Sequence, residues 1–375
     1  MRTPLLACIT LIALVISGCE RTGATLDATP VPPDAARPDA QPDATPPPPP
    51  VRRFAAQLMG TSWSLLIVSP RPAAEISAAA DAAFQEVERL EQLLSEWRPA
   101  SALSAINLAA GKAPVVVDTE VLDIIEQSLA VARQSGGAFD PTWAALRGVW
   151  DFNTQPPHLP RLSALKAALA HVGYARVQVD RAASTVFLPE AGMALGLGGI
   201  AKGYAVDRAA AILRARGFDR FIVEGGGDLY VAGEKRPGEP WVIGVQHPRA
   251  AGALVGELPV RDAAIVSSGD YERFFELGGR RYHHIIDLKT GMPATRSVAV
   301  TVIAPDATRA DAIATACFVR GPDALAGLEP GVEVAILTPD GAIYHTPGLA
   351  MLGARWDTPP PAAPDSTATQ KPKSF

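Results

Sequence analysis

The spacing of hydrophobic positions predicts helices and strands that alternate along the middle of the chain. Apolar side chains at Ile76, Phe84, Val87, Leu90 and Leu94 recur at helical spacing, which predicts an amphipathic helix over 74–94. The same patterns predict further helices at 121–134, 202–216 and 308–318, and strands at 64–68, 221–224, 241–245 and 298–303. Because no strict repeat links these segments, we predict an α+β fold with mostly antiparallel sheets and packed helices.

The first residues of the chain have the pattern of an export signal. Arg2 precedes an apolar stretch at 5–16, which is too short to span a bilayer comfortably. Ile16-Ser17-Gly18-Cys19 then resembles the bacterial lipobox, in which the cysteine is acylated and becomes the mature N-terminus. The alternative is a plain signal peptide that happens to contain Cys19. We predict a signal peptide at 1–18 and a lipid anchor at Cys19, which would hold the protein to the membrane of the bacterial cell envelope, facing the periplasm. Glu20 does not resemble the usual inner-membrane retention signal, which favours the outer membrane.

Proline-rich segments lie on both sides of the periodic part of the chain. Pro-Asp-Ala recurs at 33–35, 38–40 and 42–44, and prolines fill 46–50. Such a run cannot bury a core and is expected to form a stiff, extended stalk. We therefore predict a disordered stalk at 19–51, one folded body at 52–356 and a disordered tail at 357–375.

The composition of the chain limits its possible partners and disulfides. The chain has 375 residues, 48% of them hydrophobic, and a formal net charge of −5 without a long basic run. The electrostatic footprint of a nucleic-acid-binding protein is therefore missing, and we expect no nucleic-acid partner. Cys8 leaves with the signal peptide and Cys19 takes lipid, so no intramolecular disulfide is expected. Cys317 lies in an apolar helical run, which indicates a buried structural thiol.

The stretch from Leu195 to Gly203 carries the richest local signal for ligand binding. Its glycines open a predicted helix, where backbone N–H groups and the helix dipole can hold a phosphate. It is not a Walker loop, because Gly203 follows Lys202 where Ser or Thr is required. The letters Gly196-x-Gly198-x-x-Ala201 also fit a dinucleotide fingerprint, with Glu224 at the end of the next strand. A Rossmann fold and a tight glycine turn without a ligand therefore remain alternatives at this point.

Two further clusters contain residue types that suit metal binding and proton transfer. Asp311 and Thr315 lie four positions apart on a predicted helix, so they share a face and offer hard oxygen ligands for magnesium. The alternative is that Asp311 caps the helix. The adjacent His283 and His284 on a strand point to opposite faces, so one could face a site while the other faces solvent. An imidazole is the usual base for activating a hydroxyl near neutral pH, and the alternative is a surface or core histidine.

The order of these motifs resembles the ApbE family of FAD:protein FMN transferases along almost the whole body, from Met59 to Phe318. The matching segments are Met59-Gly60-Thr61, Leu94-Ser95-x-Trp97 with 101–107, Gly136-Gly137-Ala138-Phe139-Asp140-Pro141, 197–207, Gly225-Gly226-Gly227-Asp228, Ser268-Gly269-Asp270-Tyr271, His284-Ile285-Ile286-Asp287 with Thr290-Gly291, and 310–316. The resemblance implies an ApbE-like fold and favours this family over the Rossmann alternative.

The resemblance also implies a role for each matching residue. Mg²⁺ would be bound by the backbone carbonyl of Gly199 and the side chains of Asp311 and Thr315, and His284 would be the base. Lys202 would meet the phosphates of FAD. The other expected cofactor contacts are Met59, Trp97, Ala138, Phe139, Asp140, Gly196 and Ile286.

Three positions depart from the family pattern. Gly196 stands where the family usually has Asp, so a polar contact there is expected to be lost. Trp97 stands where Tyr is frequent, and its indole can stack on a flavin but can only donate a hydrogen bond. Leu288 replaces the usual Pro.

The reaction implied by the resemblance is the Mg²⁺-dependent transfer of FMN from FAD to a Ser or Thr hydroxyl, with release of AMP. The acceptor would be an exported or membrane redox protein with a flavinylation motif. An FAD pyrophosphatase results if water replaces the hydroxyl, and an FAD-binding lipoprotein without transfer is a further alternative. An NAD(P)-dependent oxidoreductase, the remaining alternative, predicts NAD(P) binding and no magnesium requirement.

Overall fold

The computed structural model describes residues 49–152 and 156–356. The signal peptide, Cys19, nearly all of the stalk and the tail at 357–375 lie outside the described residues. The helices are α1 (Ala73–Leu94), α2 (Ala102–Leu108), α3 (Thr119–Ser135), α4 (Leu162–Leu169), α5 (Ala201–Ala215), α6 (Ala307–Arg320) and α7 (Pro347–Met351). Within these described ranges, no helix combines the length and the apolar character that a membrane span needs.

Short strands make up much of the remainder. They are β1 (Val51–Leu58), β2 (Thr61–Val68), β3 (Val115–Val116), β4 (Gln178–Asp180), β5 (Thr185–Phe187), β6 (Phe221–Gly225), β7 (Asp228–Ala232), β8 (Trp241–Gln246), β9 (Leu254–Val260), β10 (Ala263–Gly269), β11 (Phe274–Leu277), β12 (Arg280–His283), β13 (Ile286–Asp287), β14 (Met292–Pro293), β15 (Ala299–Ala304), β16 (Glu333–Leu337), β17 (Ile343–His345) and β18 (Arg355–Trp356). Short 3-10 helices cover Pro141–Leu146, Tyr174–Arg176 and Gly321–Leu325.

The main sheet has the strand order β1-β2-β6-β7-β10-β15-β16-β17, and each neighbouring pair in it is antiparallel. The predicted α+β class with mostly antiparallel sheets is therefore confirmed. The Rossmann alternative is wrong, because that fold needs parallel strands joined by crossover helices. The strand that follows α5, β6, instead pairs antiparallel with both β2 and β7.

The main sheet is buried on both faces. In β2, Leu65 and Ile67 pack with the helices, whereas Leu66 and Val68 pack toward the small sheet β8-β9-β18. Successive side chains of a strand point to opposite faces, so a strand covered on both sides must be apolar throughout. This explains the continuous apolar run at 65–68. Each helix and strand predicted from the sequence is present, with ends shifted by at most three residues.

Helices α5 and α6 cross at very close range. A Cβ added at Gly203 in α5 would lie 2.0 Å from the carbonyl oxygen of Ala307 in α6, so only glycine fits there. Asp207 in α5 also accepts hydrogen bonds from the N–H groups of Ala307 and Thr308, each at 2.8 Å. These contacts fix the start of α6 against the start of α5.

Candidate active site

Three charged side chains meet where α5 crosses α6. The Nζ atom of Lys202 donates to Oδ2 of Asp228 at 2.7 Å and lies 3.7 Å from Oδ2 of Asp311. The negative charge of Glu272 also acts on Lys202, from an exposed position. Asp228 and Asp311 are both buried, and Oδ1 of Asp228 has no hydrogen-bond partner among the described residues.

Burial and mutual repulsion perturb this cluster. Burial raises the pKa of Asp228, and the nearby charge of Asp311 raises it further. Burial also raises the pKa of Asp311, against the opposing effect of Lys202. Burial alone would lower the pKa of Lys202, but the surrounding carboxylates outweigh burial and raise it. Lys202 therefore stays protonated, with the carboxylates of Asp228 and Asp311 within 4 Å of its ammonium group.

Asp311 belongs to the cluster and does not cap its helix. The cap of α6 is Asp306, whose carboxylate accepts from the N–H group of Arg309 at 2.8 Å. Asp311 lies one turn further on and accepts from the N–H group of Gly203 at 3.3 Å. The capping alternative for Asp311 is therefore wrong.

The glycine-rich loop before α5 is held at its first two residues. Asn107 bonds the backbone of Leu195 through both ends of its amide, at 2.7 and 2.8 Å. Gly196 donates its N–H to the carbonyl of Pro141 at 2.8 Å, and its own carbonyl accepts from Trp143 Nε1 at 3.0 Å. The backbone groups of Leu195 and Gly196 are thus engaged, and the loop presents 197–200 from a fixed base.

The structure gives a reason for glycine at position 196. A Cβ there would lie 2.8 Å from the indole Nε1 and Cε2 atoms of Trp143. The indole of Trp143 therefore occupies the space that a side chain at position 196 would need. Where a polar side chain at position 196 would lie, the indole of Trp143 packs instead.

Gly199 and Thr315 lie side by side, as the resemblance implies for two ligands of one metal ion. A Cβ built on Gly199 would lie 3.4 Å from Thr315 Oγ1 and 3.2 Å from the ring of Phe139. Phe139 is buried in the main core, and the partly buried Ala138 packs against the same core. The ring of Phe139 thus supports the glycine loop at Gly199.

Asp140 has a structural role at the start of the 3-10 helix Pro141–Leu146. Its Oδ1 accepts from the N–H and hydroxyl groups of Thr142 at 2.8 and 2.6 Å, and its Oδ2 accepts from the N–H of Tyr174 at 3.0 Å. Because both oxygens are engaged, we expect Asp140 to support the loop and not to bind the cofactor through its carboxylate.

The two adjacent histidines have different surroundings. His283 is buried at the end of β12, where its Nε2 lies 2.9 Å from the carbonyl oxygen of Ala294 and its ring packs edge-on against Phe318. The expectation that one histidine faces solvent is therefore wrong, because Ala294, which follows β14, and Phe318 of α6 cover His283. Half-buried His284 has an Nδ1 atom without a partner among the described residues.

His284 is neutral at physiological pH. Burial, followed by the positive charges of His283 and Arg273, lowers the pKa of His284 to about 3. The positive charge of Lys202 also lowers this pKa. A neutral imidazole with a free ring nitrogen can accept a proton.

The other residues expected to contact the cofactor, Met59, Trp97 and Ile286, lie in different surroundings. Met59 has a φ of +49°, and its N–H donates to Glu91 at 2.8 Å. Trp97 is 66% exposed and stacks against the guanidinium group of Arg147 at 4.7 Å. Ile286 packs in a separate apolar cluster that contains Trp150.

Cys317 is buried, and burial raises the pKa of its thiol to about 12. Both observations agree with the structural thiol expected from the sequence.

Three residues described above had no role assigned from the sequence. Asp228 is the last residue of the Gly225–Asp228 motif, and Glu272 directly follows the Ser268–Tyr271 motif. Arg147 carried no signal, because its contact with Trp97 joins segments that are distant in sequence.

The chain is an antiparallel α+β protein with a glycine loop at a helix start and a lysine among carboxylates beside it, an arrangement that can bind a phosphate. The chain belongs to the ApbE family, whose pattern matches residues 59–336.

Relatives and solved structures agree with this assignment. An FAD:protein FMN transferase of Treponema pallidum (strain Nichols) is 39% identical over 315 residues, which cover 79% of this chain and 86% of the relative. One of Escherichia coli (strain K12) is 31% identical over 297 residues, covering 77% and 84%. The ApbE protein of Thermotoga maritima superposes with a TM-score of 0.73 at 33% identity, over 81% of this chain and 99% of its own. The flavin transferase ApbE of Vibrio cholerae gives 0.72 at 28% identity, over 81% and 100%.

Proposed function

We propose that this protein transfers FMN from FAD to a Ser or Thr hydroxyl of an acceptor protein, with release of AMP, in a Mg²⁺-dependent reaction. Its curated relatives are named FAD:protein FMN transferases. The observation that supports the proposal is the cluster of Lys202, Asp228 and Asp311 beside a glycine loop at the start of α5, together with a neutral His284 whose pKa responds to Lys202. In this proposal Lys202 binds phosphate, Asp311 binds the metal ion and His284 takes the proton.

The donor set fits Mg²⁺. Within the described residues, no three His, Cys, Asp or Glu side chains form a metal site by themselves. The expected ligands are instead one carboxylate (Asp311), one hydroxyl (Thr315) and one backbone carbonyl (Gly199), which suit a hard cation that keeps water and phosphate ligands. The cluster and the nearby Glu272 together have two excess negative charges when they are fully ionised, and a divalent cation balances them. When bound, Mg²⁺ supplies neutralisation of the charge that develops on the leaving AMP.

Lys202 and the loop hold the phosphates. Lys202 lies in the first turn of α5, so its ammonium group and the dipole of α5 attract the same anion. The ammonium group also donates a hydrogen bond to Asp228 at 2.7 Å, which fixes its position. Lys202 and the loop would thereby hold the pyrophosphate of FAD next to the attacking hydroxyl.

His284 takes the proton of the acceptor hydroxyl. The hydroxyl oxygen forms a bond to the FMN-side phosphorus, the bond from that phosphorus to the bridging oxygen breaks, and AMP leaves with that oxygen. With a pKa of about 3, free His284 is a weak base. The negative phosphates of bound FAD raise this pKa, because a nearby anion favours the imidazolium. The base therefore gains strength when the substrate is in place.

We also propose that the protein acts at a membrane surface. The lipobox pattern at Cys19 and the proline-rich stalk support a lipid-anchored enzyme whose folded body stands away from the bilayer, in the bacterial cell envelope facing the periplasm. The acceptor is then an exported or membrane redox protein.

Two variants test the assigned roles. Asp311→Ala should lower Mg²⁺-dependent AMP release by at least about 100-fold while the protein stays folded, because the side-chain metal ligand with the full charge is lost. His284→Ala should lower FMN transfer by about 100- to 10,000-fold and leave FAD binding intact. The matched controls are Asp323→Ala and His158→Ala, which remove exposed residues away from the cluster. Normal FMN transfer by His284→Ala would refute its assignment as the base.

A further inference from the structure

Arg147 is placed beside the glycine loop without a complete set of partners. It follows the 3-10 helix Pro141–Leu146, and its Nη1 donates to the carbonyl oxygen of Glu96 at 3.1 Å. Its Nε and Nη2 atoms are buried, and neither finds a hydrogen-bond acceptor among the residues that the structure describes. Leaving buried donors unpaired is costly, so such a group is expected where a ligand supplies the acceptors.

The two unpaired nitrogens form one edge of the guanidinium group. The N–H groups of Nε and Nη2 point in the same direction and make a fork that fits two neighbouring acceptors at once. The Glu96 carboxylate, with a side chain that is 7% exposed, lies 3.9 Å from Nη2, too far for a hydrogen bond. The fork therefore has no hydrogen-bond acceptor among the described residues.

The surroundings of Arg147 suit a flat ring. The guanidinium group lies 4.7 Å from the ring centre of Trp97, which is 66% exposed. A Cβ added at Gly198 would lie 3.9 Å from both the Trp143 ring and the Glu96 carboxylate, so this region adjoins the glycine loop. The guanidinium group and the exposed indole of Trp97 thus lie beside Glu96, which adjoins the glycine loop near Trp143.

Charge selects between a ring and a second phosphate. The Glu96 carboxylate beside the fork would repel an anion, whereas an uncharged ring acceptor is tolerated. The flavin ring presents two neighbouring acceptors at N1 and O2, and again at N5 and O4. Adenine instead alternates a donor with an acceptor along its edge, as at N6 and N7. The fork therefore matches the flavin and not the adenine.

We infer that Arg147 is a specificity-determining residue that binds the flavin ring of FAD through its Nε and Nη2 donors, in a subsite formed with Trp97 and Trp143. Since FAD is the proposed substrate, this inference rests on the proposed function. Arg147 distinguishes the flavin half of the dinucleotide from the ADP half. Its loss should change the affinity for flavins without changing the affinity for adenine nucleotides.

The test compares the binding of FAD, riboflavin and ADP by the full chain, in EDTA so that turnover does not consume the ligand. Arg147→Met keeps an apolar stem against Trp97 and removes the fork. It should weaken FAD and riboflavin binding by about 10- to 100-fold, because hydrogen bonds from a charged donor are lost, and leave ADP binding unchanged. Arg147→Lys should restore only part of the affinity, since an ammonium group cannot reproduce the fork.

Arg181→Met is the matched control, because Arg181 is already paired with Asp123 and Glu126 at the surface. Equal FAD binding by Arg147→Met and the parent would overturn the inference while leaving the proposed function standing. Weaker ADP binding would overturn it in favour of a phosphate or adenine contact. A merely structural role would lower the stability of Arg147→Met and weaken all three ligands together, which also contradicts the inference. A parent protein that binds no FAD would remove the proposed function itself.

Discussion

Gly203→Ala tests whether the close crossing of α5 and α6 builds the site. The added methyl carbon would lie 2.0 Å from the carbonyl oxygen of Ala307 and 3.0 Å from Cβ of Asp311. The helices must separate by about 1 Å to bring the first contact to 3.0 Å. This movement pulls Asp311 away from the N–H of Gly203, which it accepts at 3.3 Å, and from Lys202 at 3.7 Å.

The expected energy follows from two opposing effects. Gly203 lies in the first turn of α5, where replacing glycine by alanine stabilises the folded state by up to about 1 kcal/mol when space allows. Overpacking against a backbone atom, which cannot rotate away, costs about 1–3 kcal/mol, and we expect the upper end here. The net prediction is a loss of about 1–2 kcal/mol in the free energy of unfolding. The sign of the change is therefore opposite to that expected from helix propensity alone.

The assay is urea unfolding followed by tryptophan fluorescence, with the midpoint and the m-value measured for parent and variant. Gly198→Ala is the matched control, because a Cβ there meets its nearest neighbours only at 3.9 Å. That control should change the free energy of unfolding by no more than about 0.5 kcal/mol. A Gly203→Ala protein as stable as the parent, or more stable, would refute the reasoning.

Three further predictions concern packing, protonation and thiol reactivity. Gly196→Asp should lower the free energy of unfolding by about 1–3 kcal/mol, because the new side chain meets the Trp143 ring. Adding Trp143→Ala should relieve this clash, and additive changes in the free energy of urea unfolding would contradict the prediction. Folded His284 stays neutral down to a pKa of about 3, whereas the unfolded chain takes up a proton below its ordinary value of 6.5. Its contribution to stability is therefore complete above that value and falls by up to about 1.4 kcal/mol per pH unit as the pH drops toward 3. His284→Gln should flatten this part of the plot of unfolding free energy against pH, and equal slopes for both proteins would be evidence against it. Cys317 should resist alkylation at pH 8 in the folded protein and react in urea, as read by mass spectrometry of its peptide; rapid labelling of the folded protein would disagree with its burial.

Local patterns were sufficient for the elements that frame the site. The helical spacing of α1 and the continuous apolar run of β2 predicted both elements, because each is decided by the periodicity of its own residues. The glycine loop was also recognisable, since its glycines directly precede α5. A periodic pattern does not report which strands pair, and the two-sided burial of the sheet became visible only in the structure.

Contacts between distant segments could not be predicted in this way. Trp143 and Gly196 are brought together by tertiary packing, so no local pattern relates the indole to the missing side chain. Asp228 reaches Lys202 because β7 lies beside α5, and the sequence around Asp228 does not indicate a partner. His283 was expected to be able to face solvent, and only the position of Ala294 and Phe318 shows why it is buried.

The most direct test of the central claim is a flavinylation assay with the full chain. The protein is mixed with FAD, Mg²⁺ and a carrier that bears a Ser/Thr flavinylation motif, with and without EDTA. Covalent flavin fluorescence on the carrier and AMP in solution are then measured together. The proposed function predicts equal amounts of labelled carrier and AMP, both abolished by EDTA. AMP without labelled carrier would indicate FAD hydrolysis, and bound FAD that yields neither product would contradict the claim that this site transfers FMN.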